Sequence, residues 1–435
     1  MAALLVDCEP LLEPINVVAQ KWVIISKTQK ELRPVQDKRA LLTYSYARVR
    51  EKIAELSSFA IAKDAFKRDT VFSDGARTAG YWATFEAVLQ YLIGSAGQIH
   101  KRSVSLDHAE VLRYLRSFRQ LLTSRHLQYE ASVRLFGVDL RYKSLPLPDG
   151  VALYRLNREE RNERQPVSQP YLLDGWGDQV LGDHPAELRV SITVPVDQSQ
   201  DGAFFKAQND AYQFANEIFY RILQAVLVAS SGRARLSSIS LKGGVEQLPI
   251  GRSISREMPP HANIMLGKKE LSNICTAYDL VSGGQKSDKT LSRALHRFIL
   301  GRQRGDLIDK LVDFVIAWEA ILLTQDGNPI TQELSYRFAL NGASIISAAK
   351  KNMNPKEIYK KMRSAYSTRS SIVHGGEDKD RDKALQTGDF RNLQELCDFL
   401  ESNFRQVVFW LALTKPASRP YRQTGGWESL IWSTK

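Results

Sequence analysis

Two stretches decide the fold of the C-terminal third: Asp306-Leu-Ile-Asp-Lys-Leu-Val-Asp-Phe-Val-Ile-Ala-Trp-Glu319-Ala-Ile-Leu-Leu323 and Asn354-Pro-Lys-Glu-Ile-Tyr-Lys-Lys-Met-Arg-Ser-Ala-Tyr-Ser-Thr-Arg369-Ser-Ser-Ile-Val-His374-Gly-Gly376. In the first, Ile308, Leu311, Val312, Val315 and Leu322 recur at steps of three and four, the mark of a helix with one apolar face. Glu319 falls on that face, where a carboxylate needs a cation from another helix. In the second, Asn354 is a helix cap, Pro355 suits the first helical position and Glu357 would complete a capping box. Ile358, Met362, Ala365, Tyr366 and Arg369 then share a face, and Gly375-Gly376 stops the helix. Two further helices are predicted, one on Leu291, Ala294, Leu295, Phe298 and Ile299, the other on Leu334, Arg337 and Phe338. Arg337 is one possible partner for Glu319, and a structural ion pair is the expected role of both.

Working outward, Ser282-Gly283-Gly284-Gln285-Lys286-Ser287 is a polar cluster suited to a boundary. Residues 136–285 read as mixed α/β. Leu145-Pro-Leu-Pro-Asp-Gly150 forms a break, and Arg189–Val196 alternates like a strand, with Pro195 suggesting a sheet edge. Ala203–Ala229 is a long helix with Tyr212, Ala215, Phe219, Ile222 and Val226 in one stripe. The Gly-rich stretch from Lys242 to Gly251 lacks phosphate-loop spacing. Residues 1–135 read as helical, from Leu42, Tyr46, Val49, Ile53 and Leu56, from Trp82, Phe85, Leu89 and Leu92, and from a helix starting near Ser105. That last helix would bury Val111, Leu112, Leu115, Phe118 and Leu122, with Arg113, Arg116 and Arg119 on a solvated face. The predicted fold class is mainly α with a mixed α/β middle segment, in three parts: 1–135, 136–285 and 286–435.

The chain has 435 residues, too many for a single core, and a net charge of +12, which favours a polyanionic partner without proving one. Cys8, Cys275 and Cys397 are few and scattered, offering neither a disulfide framework nor a zinc cluster. The N-terminus lacks a basic signal-peptide region and no apolar run is long enough to span a membrane, so a cytoplasmic protein is expected. No metal or cofactor is expected.

Arg369-Ser370-Ser371-Ile372-Val373-His374 separates an arginine and a histidine by four residues. The spacing alone selects nothing, because Arg256 with His261 repeats it, and Arg102 with His108 and Arg119 with His126 fit it when five or six residues may intervene. Context favours His374. The helix carrying Glu319, the Leu334-Ser-Tyr-Arg337-Phe-Ala segment, Tyr366 and the Arg369–His374 motif follow one another in an order that resembles the Apea-like HEPN domain, a helical family with many ribonucleases. The resemblance covers about Leu291 to Gly376. It implies a C-terminal HEPN-type helical bundle that acts as a homodimer, with Arg369 and His374 catalytic and Ser370, Glu319, Arg337 and Tyr366 supporting. Ser370 departs from the Asn, Asp or His that often follows the arginine.

The residue types suit metal-independent RNA cleavage: histidine moves protons near neutrality, and arginine clamps phosphate while stabilising developing negative charge. One motif holds one histidine, so two protomers would bring two of each residue to one phosphate and leave a 2′,3′-cyclic phosphate. Lys350, Lys351, Lys360, Lys361 and Arg363 are expected to hold the RNA backbone. The resemblance further suggests an effector of bacterial conflict or phage defence, with residues 1–285 sensing a phage or cellular trigger. The alternatives are a non-catalytic HEPN module binding nucleotide, nucleic acid or protein, and a scaffold in which His374 merely ends its helix.

Overall fold

The computed structural model describes residues 19–24, 30–35, 97–99, 104–107, 124–157, 186–196, 203–232, 234–243, 264–350 and 353–433, with isolated positions between 52 and 116. Two short antiparallel pairs come first, β1 (Ala19–Ile24) with β2 (Lys30–Val35) and β3 (Gly97–Ile99) with β4 (Val104–Leu106). Ser105 is therefore a strand residue and caps nothing. Asp107 Oδ1 accepts from the Ala109 amide at 3.0 Å. Leu112, expected in the core, is 46% exposed. The helices expected around Leu42–Leu56 and Trp82–Leu92 lie largely outside the described residues, as do Val111, Leu115, Phe118, Arg119 and Leu122.

The mixed segment starts before the expected residue 136, because β5 spans His126–Phe136 and buries Leu127, Tyr129, Ala131, Val133 and Leu135. Next come β6 (Val138–Leu140), β7 (Ser144–Pro146), β8 (Ala152–Arg155) and β9 (Ala186–Pro195). Helix α1 (Ala203–Ala229), β10 (Arg235–Gly243) and β11 (Ile264–Leu266) complete the segment. The main sheet has the order β10-β5-β9-β8-β7 and is antiparallel throughout, while β11 runs parallel to β6. Strand β9 is thus central, against the edge position inferred from Pro195. The proline is tolerated because β8 pairs with Ala186 to Arg189, and among the described residues the far end of β9 has no partner on that side. Tyr212, Ala215, Phe219, Ile222 and Val226 of α1 are buried, and α1 packs on β5, β9 and β10.

Helix α2 (Lys268–Ser287) runs straight through the Gly-Ser cluster read as a break. The chain turns at buried Asp288 instead, which caps α3 (Lys289–Gln303) by accepting from the Leu291 amide at 3.0 Å. Its carboxylate also accepts from Arg419 (2.6 Å) and Tyr421 (2.8 Å), tying the start of α3 to the end of the chain.

Helix α4 (Leu307–Leu322) is capped by Asp306 and followed by the hairpin β12 (Thr324–Gln325) and β13 (Asn328–Pro329). Asp326 and Gly327 both have positive φ at its tip, as an Asp-Gly hairpin turn demands. Then come α5 (Leu334–Ala349), α6 (Pro355–Val373), α7 (Asp378–Thr387), α8 (Leu393–Leu413) and α9 (Gly426–Ser433). Helix α4 is central, with Leu311, Phe314, Val315, Trp318, Ile321 and Leu322 buried, whereas Ile308, expected on the buried face, is 37% exposed. It lies so close to α3 that a Cβ on Gly301 would stand 2.6 Å from Phe314 Cδ1. From α8, Phe404 stacks on Phe298 (4.4 Å) and meets Trp318 edge-on (5.2 Å). Arg302 of α3 donates to Glu401 of α8 and to the Gly232 carbonyl, linking the bundle to the turn after α1. The described chain is helix-rich with strands in the middle, and no described helix is long and apolar enough to cross a membrane.

Candidate nucleic-acid cleft

Helix α6 begins as its sequence requires, Asn354 Oδ1 accepting from the Lys356 amide at 3.0 Å. Glu357 stays exposed and does not close the capping box. The helix ends in a two-bond glycine cap: Gly375 N donates to Ile372 O (3.3 Å) and Gly376 N to Ser371 O (2.8 Å). Both glycines are needed. Gly375 has φ +69°, and a Cβ on Gly376 would stand 2.4 Å from Ser371 Oγ. His374 is the capping residue, exposed at the helix end.

Arg369 sits five residues earlier, about 7 Å along the axis, on a different face. It lines a cleft of about 850 Å³ between α3, α4, α6 and the β12–β13 hairpin. One wall is the stripe Ile316, Glu319, Ala320 and Leu323 of α4, whose spacing of three and four places them together. Glu319 thus continues the partly exposed stripe of Ile308 and Val312, and the C-terminal end of that stripe faces the cleft. The opposing wall is the polar face of α3, Ser292, Arg293, His296 and Arg297, and Tyr366 and Arg369 close the cleft from α6. Thr324, Pro329, Ile330 and Leu334 form its end. His374 does not line it.

The cation that meets Glu319 is Arg369, Nη2 to Oε2 at 3.8 Å, and not Arg337. Arg337 lies on α5 beside Glu333, with which it pairs at 3.8 Å. Burial pushes the Glu319 carboxyl above its ordinary value, with Arg369 pulling the other way. Tyr366 is raised as well, by burial and then by the Glu319 charge, with Arg369 opposing. Its ring leans on Phe338 at 5.3 Å. Arg369 Nε and Ser371 Oγ are both out of solvent and hydrogen-bond to no described residue. Ser370 is half-buried beside them.

The chain was compared with protein-family models, curated proteins and solved structures. It matches none of them.

The basic residues expected to hold RNA scatter. Lys350 donates to Asn403 (3.2 Å), and Lys361 lies over the Phe390 and Phe399 rings at 5.7 and 5.5 Å. Lys351 is outside the described residues. Lys360 and Arg363 are exposed but stand roughly 180° and 120° around α6 from Arg369, so they cannot share its phosphate. Sequence reasoning passed over Arg293, His296 and Arg297. Their signal was present: they fall on the face of α3 opposite Leu291, Leu295 and Phe298. Among the other arginine-histidine pairs, His126 is in β5 and Arg102, His108, Arg119, Arg256 and His261 are outside the described residues. No group of three or more His, Cys, Asp or Glu that could hold a metal occurs among the described residues.

Proposed function

We propose that the C-terminal helices carry a metal-independent endoribonuclease of the Apea-like HEPN type, cleaving RNA with Arg369 and His374. The observation that carries this reading is the state of Arg369. Its guanidinium lines an open cleft with a dry, unbonded Nε and one distant acidic partner, an arrangement ready to exchange Glu319 for a phosphate. Four basic side chains line the cleft against one acid, which suits a polyanion.

His374 stands exposed beyond the cleft, where a second protomer can approach it. Pairing two protomers through the C-terminal helices supplies two histidines at one phosphate. One imidazole takes the 2′-hydroxyl proton, the 2′-oxygen attacks phosphorus, and the bond to the 5′-oxygen breaks as the second imidazole protonates it. Arg369 stabilises the charge gathering on the phosphoryl oxygens. The products are a 2′,3′-cyclic phosphate and a 5′-hydroxyl. By the same family resemblance, residues 1–285 sense a phage or cellular trigger and the enzyme acts in antiphage defence.

The test is incubation of labelled total RNA with EDTA and wild-type, Arg369→Ala or His374→Ala protein. Cleavage by the wild type alone is expected, and strict dependence on Mg²⁺ or Mn²⁺ would sink the mechanism. A heterodimer of an Arg369→Ala protomer with a His374→Ala protomer should have little activity. Near-wild-type turnover would mean that the two motifs do not share a phosphate. One observation favours a second reading, a non-catalytic nucleotide-binding module: Arg369 and His374 do not line the same cleft.

A further inference from the structure

We infer that the cleft between α3, α4 and α6 binds one nucleotide unit, with Arg293 and His296 of α3 gripping its phosphate together with Arg369 of the same chain. The inference rests on the ribonuclease reading only for its consequence in cleavage; the binding stands by itself. Three features of the cleft select the ligand.

The first is which charges are free. Arg297 is committed to buried Asp313, Nη1 to Oδ1 at 3.1 Å, and Arg304 takes the other oxygen of the same carboxylate at 2.9 Å. Arg293 and His296 have exposed side chains and no ion pair or hydrogen bond to any described residue. They sit three residues apart on α3 and so project side by side. Across from them is Arg369, whose Nε is buried and unbonded. Two guanidinium groups and an imidazole line one space in which Glu319, 3.8 Å from Arg369, is the single carboxylate among the lining residues, and a phosphate presents acceptors on every side.

The second is the wall. Ile316, Ala320, Leu323, Ile330 and Leu334 give the cleft an apolar side, and Tyr366 adds a ring. A bare inorganic anion has no use for that surface, whereas a nucleobase and ribose do. The third is size: about 850 Å³ lies within the usual range for sites that hold a small organic ligand and is far more than one phosphate needs. Charge, apolar wall and volume together fit a phosphate with a base attached.

The unit can come from an RNA strand or from a free mononucleotide, and calorimetry separates the two. The probes are adenosine 3′-monophosphate, adenosine, inorganic phosphate and a 2′-O-methyl tetranucleotide that cannot be cleaved. Wild type should bind the tetranucleotide or adenosine 3′-monophosphate at least ten-fold tighter than adenosine or phosphate. Tetranucleotide binding without the mononucleotide assigns the unit to a strand, and the reverse assigns it to a free nucleotide. Arg293→Ala and His296→Ala should each weaken binding at least ten-fold while melting at the wild-type temperature, since both side chains are exposed. His296→Asn should recover part of the loss by donating from its amide. Lys360→Ala, on the opposite face of α6, should bind like the wild type.

Wild-type affinity in both Arg293→Ala and His296→Ala would overturn the assignment, as would a wild type that binds neither nucleotide probe. If the wild type fails to cleave RNA but loses the nucleotide on these substitutions, the ribonuclease reading falls and the cleft assignment stands. If cleavage depends on His374 while Arg293→Ala and His296→Ala bind normally, the reverse holds.

Discussion

Replacing Glu319 with glutamine tests how the cleft is balanced. A carboxylate inside a sealed apolar stripe would leave a stranded cation when removed, at about 3–5 kcal/mol. The geometry here argues for much less. At 3.8 Å the attraction between Glu319 and Arg369 amounts to roughly 4 kcal/mol at an effective dielectric constant near 20. Against it stands a desolvation cost of several kcal/mol per ion. The upward displacement of the Glu319 carboxyl says that burial wins. Side-chain exposures of 20% and 23% leave water at both groups, so neither is stranded without the other.

With its folded-state value above the unfolded one, Glu319 stabilises the fold fully below the unfolded value of about 4.3 and loses that contribution as pH rises through the folded one. Glutamine mimics the protonated form at every pH. Urea unfolding at pH 8 should therefore find Glu319→Gln equal to the wild type or up to about 1 kcal/mol more stable. At pH 4 the two should converge. A loss above about 2 kcal/mol at pH 8 would refute the reasoning and return Glu319 to the role of a buried structural partner.

Asp288→Ala removes a helix cap and strands buried Arg419, and should cost about 3–5 kcal/mol in urea unfolding. Burial pushes the Asp288 carboxyl up, but bonds from Leu291 N, Arg419 and Tyr421 outweigh it and hold it below its ordinary value. Its stabilisation is thus present above the unfolded value of about 3.9 and lost as pH falls through the folded one, so the urea midpoint of Asp288→Asn should fall less steeply than that of the wild type as pH drops below about 4. Gly301→Val forces a side chain into Phe314 and should lower stability by about 1–3 kcal/mol, with unchanged stability excluding the close α3–α4 contact. Arg369→Ala should cut the cleavage rate by a factor equivalent to about 2–4 kcal/mol without loss of secondary structure measured by circular dichroism. Neutralising Lys360 and Arg363 should leave the salt dependence of RNA binding nearly unchanged, whereas neutralising Arg293 should flatten it; the opposite ranking would place the RNA on the outer face of α6.

Local signals were legible without coordinates wherever neighbours in sequence supply the physics. Asn354, Pro355 and the glycine pair bracket α6, and the stripes of α1 and α3 are buried as their periodicity requires, because caps and helical faces are set within a turn or two. The need of Glu319 for a cation from another helix was equally readable. Its identity was not: Arg337 and Arg369 both lie on helices near α4, and only packing decides which guanidinium faces the carboxylate. Tertiary pairing also overrode local reading at Ser105, drawn into a strand by β3, and at Gly283-Gly284, where α2 continues through residues of poor helix propensity. The cleft is the clearest case. Arg293 and His296 are more than seventy residues before Arg369, on a face that resembles any solvated helix surface. What turns that face into the wall of a site is the placement of α3 and α6 against α4, a matter of core packing that no spacing in the chain records.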